Sequence, residues 1–282
     1  MKQLLLICAV VALVGCSQTV EIDDPIIERA IREAAKKPKG ELTKADYEKV
    51  VDLDLDWKRL ADVKGLENLT QLESLGLANN ELTGLKRLKK LTQLKELWLN
   101  GNKLTDVKGL EKLNQLTYLS LFNNQLTSVK GLENLTQLKD LSLFVNKLAD
   151  VTGLEKLTQL TYLELNSNNL TDVKGLEKLD QLTYLDLRSN QLSDVKGLEK
   201  LTQLETLYLN DNQLKDVKGL EKLTQLQVLQ LIDNQLKDVK GLEKLTQLET
   251  LVLTDNPDLT KAQIDQLQKA LPKCKIHSNP TK

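Results

Sequence analysis

The chain has 282 residues, with 40% apolar side chains but only 3% aromatic, so any core it builds is aliphatic and mostly leucine. Its charges balance, 39 basic against 40 acidic; that leaves no basic stripe of the kind nucleic acid needs and little net field to steer a charged partner. The three cysteines, Cys8, Cys16 and Cys274, cannot form a disulfide framework, and Cys274 reads as a small buried apolar side chain.

Residues 1–15 read as a targeting segment rather than part of the fold. Lys2 gives a positive start, and residues 4–14 are an unbroken apolar run. As a helix that run would span roughly 16 Å, about half the hydrocarbon thickness of a bilayer, which suits a signal-peptide core and not a membrane span. It ends in Leu13-Val14-Gly15-Cys16, which resembles the lipobox of bacterial lipoproteins. The resemblance implies cleavage before Cys16 and acylation of its thiol; the alternative is an ordinary cleaved signal with an incidental cysteine. Ser17 follows, and on the pattern of Gram-negative lipoproteins it implies export to the outer membrane. The expected location is therefore the cell envelope, with the membrane reached through an N-terminal lipid. Residues 16–23 would be the acylated cysteine and a tether with a reach of roughly 25 Å.

Residues 24–50 read as a helical N-terminal cap. Asp24-Pro25 supplies an N-cap and a first-turn proline, and Ile26, Ile27, Ala30, Ile31, Ala34 and Ala35 give one apolar face. Thr43 to Asp46 reads as a capping box for a second short helix. At the other end, residues 257–282 read as a C-terminal cap. Thr260 and Gln263 form a capping box there, Leu259 and Ile264 a hydrophobic staple, and Cys274-Lys275-Ile276 a closing extended segment.

Between the caps one phrase recurs every 22 residues, in register at Leu69, Leu91, Leu113, Leu135, Leu157, Leu179, Leu201, Leu223 and Leu245. A fixed period of this size marks a solenoid. The pattern L-x-x-L-x-x-L-x-L-x-x-N-x-L-x-x-V-x-G-L resembles the 22-residue class of leucine-rich repeat carried by bacterial internalin-like proteins. The resemblance implies an α/β solenoid, a curved array with a parallel concave sheet and helical caps, holding about ten repeats over residues 51–256. No immunoglobulin-like domain follows the repeats and no cell-wall sorting signal is visible, departures that count against expecting a host-invasion role.

Each repeat position has a physical task. Alternation around Leu119 and Leu121 predicts a strand with leucines inward. Asn80, Asn102, Asn124, Asn146, Asn168, Asn190, Asn212, Asn234 and Asn256 follow the strands, and stacked amides with both donor and acceptor suit a structural ladder. The recurring Asp-Val-Lys-Gly-Leu-Glu-Lys of residues 106–112, 172–178 and 194–200 interleaves opposite charges, so its acids are not expected to bind metal. Lys58 stands where later repeats have asparagine, and Leu85-Lys86-Arg87-Leu88 replaces the usual Val-Lys-Gly-Leu, so both places should differ locally.

Function is expected on the outward strand positions, which vary while the convex phrase is nearly copied. Seven of the nine aromatics lie there: Trp98, Tyr118, Phe122, Phe144, Tyr162, Tyr184 and Tyr208. Exposed rings in adjacent repeats mark a binding surface, with Asp140, Glu164, Asp186 and Arg188 supplying polar contacts. The expected role is protein recognition by a monomeric, membrane-anchored module; a glycan-binding module is the alternative. An enzyme is disfavoured: His277 is the sole histidine, no nucleophile–base pair or nucleotide loop occurs, and Glu164 with Asp186 would lie on an open sheet. No cofactor is implied.

Overall fold

A computed structural model describes residues 22–279. The signal segment, Cys16 and most of the tether lie outside the described residues.

The period of 22 becomes an 11-stranded parallel sheet whose strands follow chain order. They are β1 (Asp52–Asp54), β2 (Ser74–Gly76), β3 (Glu96–Trp98), β4 (Tyr118–Ser120), β5 (Asp140–Ser142), β6 (Tyr162–Glu164), β7 (Tyr184–Asp186), β8 (Thr206–Tyr208), β9 (Val228–Gln230), β10 (Thr250–Val252) and β11 (Lys275–His277). Register never slips: Asp140 pairs with Tyr162, and Tyr162 with Tyr184. The incomplete first repeat supplies β1, and the C-terminal extended segment docks on β10 as the last strand. The repeat leucines form one continuous buried core from Ile27 to Cys274. A single coil could not stand alone, because ordering 22 residues costs about as much as burying its roughly seven apolar side chains returns.

The asparagine ladder ties each coil to its neighbours. The Asn146 amide donates to the Leu121 and Leu143 carbonyls, both at 3.0 Å, and its Oδ1 accepts from the Leu126 amide at 3.0 Å. At the first coil, where Lys58 interrupts the series, Asn80 Oδ1 accepts from both Lys58 and Leu60, at 3.1 and 2.9 Å.

The acids of the convex phrase are turn caps, a role the sequence reading did not assign. Asp106 accepts from the Lys108 amide at 2.9 Å and Glu111 from the Gly109 amide at 2.9 Å, and the arrangement recurs at Asp172 and Glu177. Gly109 has φ 111°, and a Cβ there would meet the Leu85 carbonyl at 2.4 Å, so the close approach of adjacent coils requires glycine. In the second repeat Arg87 takes the glycine's place, and the turn becomes a longer 3₁₀ segment, Lys86–Lys90.

Helix α1 (Pro25–Ala34) starts on Asp24, whose carboxylate accepts from the Ile26 and Ile27 amides, and it packs on β1 through Ile27 and Ile31. Ile26 and Ala34 are exposed, contrary to the expected face: at 100° per residue Ile26 lies well off the packed stripe through 27, 31 and 35, and Ala34 is the last residue of the helix. Both capping boxes form, at Thr43 with Asp46 ahead of α2 (Lys44–Tyr47) and at Thr260 with Gln263 ahead of α3 (Lys261–Ala270). Leu259, Ile264, Leu267 and Leu271 close the far end of the core, where Cys274 is also buried and its thiol pushed to a higher pKa by burial.

Candidate ligand-binding face

Three columns run along the concave side of β1 to β10. The aromatic residues stand in contact across neighbouring strands. Phe122 and Phe144 stack with centroids 4.3 Å apart and planes 9° from parallel; Tyr162 and Tyr184 do the same at 4.3 Å and 8°. Trp98 tilts against Tyr118 at 5.2 Å, and Tyr208 meets Tyr184 edge-on at 5.7 Å. All seven rings are half-buried. Such pairs contribute about 0.5–1.5 kcal/mol beyond their area, so the array supports the sheet as well as lining it.

The polar residues divide into three kinds. Asp186 was expected to face a ligand; instead it is fully buried, beneath Arg188, whose Nη2 donates to Oδ2 at 2.5 Å and whose Nε donates to Oδ1 at 2.9 Å. Ser120 and Ser142 of the same column are buried too, because the bulky rings beside them cover a short side chain even on the outer face. Arg188 in turn lies 5.1 Å from the centre of the Tyr208 ring, held by a fork, a ring and its own strand. Its contact with Asp186 raises the guanidinium pKa further.

Glu164 is half-exposed and already engaged: Ser142 donates to it at 2.7 Å and the Tyr162 hydroxyl at 2.9 Å. Burial, then the bond to Glu164, raises the Tyr162 pKa strongly. Glu164 and Asp186 are thus both held in internal contacts rather than poised as a catalytic pair. Asp140 differs. It lies between Tyr118 and Tyr162 in the first column, and burial raises its pKa.

The near-zero total charge hides a segregation. The three columns of β1 to β10 hold Asp52, Asp54, Asp56, Glu96, Asp140, Glu164 and Asp186 against one base, Arg188. The face is acidic, which a whole-chain sum cannot reveal.

Two rim residues were not anticipated. Trp57 and Val145 sit where each coil leaves its strand, with φ 61° and 53°, and are 75% and 43% exposed. Corresponding positions hold Asn79, Gly101, Asn123, Ser167 or Asp211, all at positive φ. A β-branched valine in that conformation is strained. The signal was legible: two apolar residues, Trp57 and Val145, in a column otherwise of asparagine, aspartate, glycine and serine.

The stacked parallel coils, buried leucines and asparagine ladder define a repeat-solenoid protein. The family model for leucine-rich repeats, built on two copies, matches residues 70–112, 114–156, 158–200, 180–222, 202–239 and 224–269. This chain belongs to the leucine-rich repeat family, and within it is internalin-like. An internalin C2 of Listeria monocytogenes is 33% identical with a TM-score of 0.71, over 74% of this chain and 93% of that one. A leucine-rich repeat protein of Leptospira interrogans is 32% identical with a TM-score of 0.77, over 82% of this chain and 62% of that one. An internalin (inlF) of Listeria monocytogenes, 24% identical with a TM-score of 0.57, covers 92% of this chain and 91% of its own, and shares the fold. No curated protein matches the sequence.

Proposed function

We propose that this chain is a protein-recognition module that binds its partner on the concave face between β3 and β8, and that a lipid on Cys16 anchors it to the bacterial cell envelope. The observation that carries the reading is the placement of the rings. Seven of nine aromatics stand on one face, outside the leucine core, in three ring clusters with an acidic surround. Aromatic and arginine side chains are the usual anchors of protein interfaces, and a solenoid face offers the length a protein partner needs.

Ring orientation favours protein over glycan. Phe122 and Phe144, like Tyr162 and Tyr184, turn their faces to each other along the array and their edges to solvent. A sugar platform needs a ring face turned outward. No helix among the described residues is long and apolar enough to cross a membrane, so attachment rests on Leu13-Val14-Gly15-Cys16.

The test is affinity capture from cell-envelope extract with the full chain and with Phe122→Ala/Phe144→Ala, each captured protein then being purified and its affinity measured directly. The double variant should stay folded with a lowered unfolding midpoint, since the stack supports the sheet, and bind at least tenfold more weakly. Wild-type affinity in the folded double variant would reduce the stack to a structural device, and specific retention on a glycan array without a protein partner would favour the sugar reading. For the anchor, Cys16→Ser should abolish incorporation of a labelled fatty acid; labelled variant would place the lipid elsewhere.

A further inference from the structure

We propose that the gap in the first column at Asp140 seats the guanidinium of an arginine presented by the protein partner. The inference rests on the protein-recognition reading and specifies what one subsite of that face takes.

The gap follows from the register. Tyr118, Asp140 and Tyr162 are consecutive in the first column, so a carboxylate stands where its neighbours carry rings. Tyr162 stacks on Tyr184 at 4.3 Å with planes 8° from parallel, and adjacent strands lie about 4.8 Å apart. The ring plane therefore stands across the array, and the second face of Tyr162 looks over Asp140. Tyr118 bounds the other side. Two strand spacings separate the flanking rings, so a flat cation midway would sit about 5 Å from each, within the roughly 6 Å reach of a cation–π contact.

Among the described residues, the Asp140 carboxylate has neither a hydrogen bond nor an ion pair, whereas Glu164 is held by Ser142 and Tyr162, and Asp186 by Arg188. Its neighbour Lys139 is exposed and acts on it only through space. Burial alone dominates its raised pKa, and an incoming cation would offset that desolvation.

The chain supplies its own template. Two strands along, Arg188 forks onto Asp186 and lies 5.1 Å from the Tyr208 ring. Asp140 presents the same two partners, carboxylate and tyrosine, without the arginine. A planar fork exploits both at once, where the compact ammonium of lysine cannot. The acidic face would draw such a group toward the gap.

The test is a nitrogen-15 NMR titration of the full chain with N-acetyl-arginine amide and with its neutral isostere, N-acetyl-citrulline amide. Arginine should shift the amides of β4, β5 and β6, and citrulline should bind at least tenfold more weakly. Asp140→Asn should remove the arginine response while keeping the rest of the spectrum, since losing a half-buried charge does not threaten the fold. Equal responses to the two amides, shifts confined to other strands, or an undiminished response in Asp140→Asn would overturn the seat. If the seat fails while Phe122→Ala/Phe144→Ala still weakens the protein partner, the recognition reading stands without it. If arginine binds as described and the double alanine variant leaves the partner unaffected, the seat's chemistry holds and the recognition reading falls.

Discussion

Arg188 covers Asp186 with a forked contact, Nη2 to Oδ2 at 2.5 Å and Nε to Oδ1 at 2.9 Å, so a fully buried carboxylate on the binding face has its partner two residues on, just past the end of its strand. Arg188→Ala would strip the fork from that carboxylate and leave it the backbone amide of position 188, which donates to Oδ1 at 3.0 Å. The loss is expected at about 1–3 kcal/mol, because water can reach it once the arginine is gone. Urea unfolding of the variant measures it. Asp186→Ser with Arg188→Ala should recover part of the loss, since a serine already sits buried in this column at 120 and 142.

The ladder makes a sharper stability prediction. Asn146→Ala leaves the Leu126 amide without its side-chain acceptor in a buried bend, while the Leu121 and Leu143 carbonyls each lose one of two ladder donors and keep Asn124 and Asn168. One unsatisfied buried group costs about 1–3 kcal/mol, and that is the loss expected in chemical unfolding. Asn146→Asp keeps the acceptor but removes both donors, and should be destabilising as well.

The sequence made the solenoid legible because a strict period leaves little freedom. Leu119 and Leu121 face inward in every coil alike, and an asparagine such as Asn124 follows the strand in every coil after the first. The capping boxes at Thr43 and Thr260 were legible for a related reason, since their chemistry is local. The state of the face was less so. Period two puts Asp186 and Asp140 on the same side, but only the neighbours decide that Arg188 closes over one while the other stays unpaired. The acidic bias of the face was likewise hidden, because lysines elsewhere in each repeat cancel it in the total.

Val145 should trade stability against recognition. It holds φ 53° where every other coil but the first, with Trp57, uses asparagine, glycine, serine or aspartate, and it stays 43% exposed beside Phe144. Val145→Asn should relieve the strain and stabilise the chain by about 0.5–1 kcal/mol. If the rim belongs to the interface, the same change weakens partner binding; thermal unfolding and direct affinity measurement separate the effects.

Acid should loosen the N-terminal cap through Asp46. Lys37 donates to its carboxylate at 2.8 Å, joined by Thr43 and Lys49, and these bonds hold its pKa well below the ordinary carboxylate range. A folded pKa below the unfolded value of about 3.9 contributes stability above that value, lost as pH falls toward the folded pKa. Asp46→Asn should therefore flatten the loss of amide-exchange protection in α1 and α2 on going from neutral to strongly acidic pH. An unchanged acid profile would assign that loss to other carboxylates.

The most direct measurement of the central claim is hydrogen exchange of the full chain with and without its captured protein partner. Added protection should fall on β3 to β8 and on the rim around Val145, with the convex turns unchanged. Protection confined to the convex turns or to the two caps would contradict recognition by the concave rings.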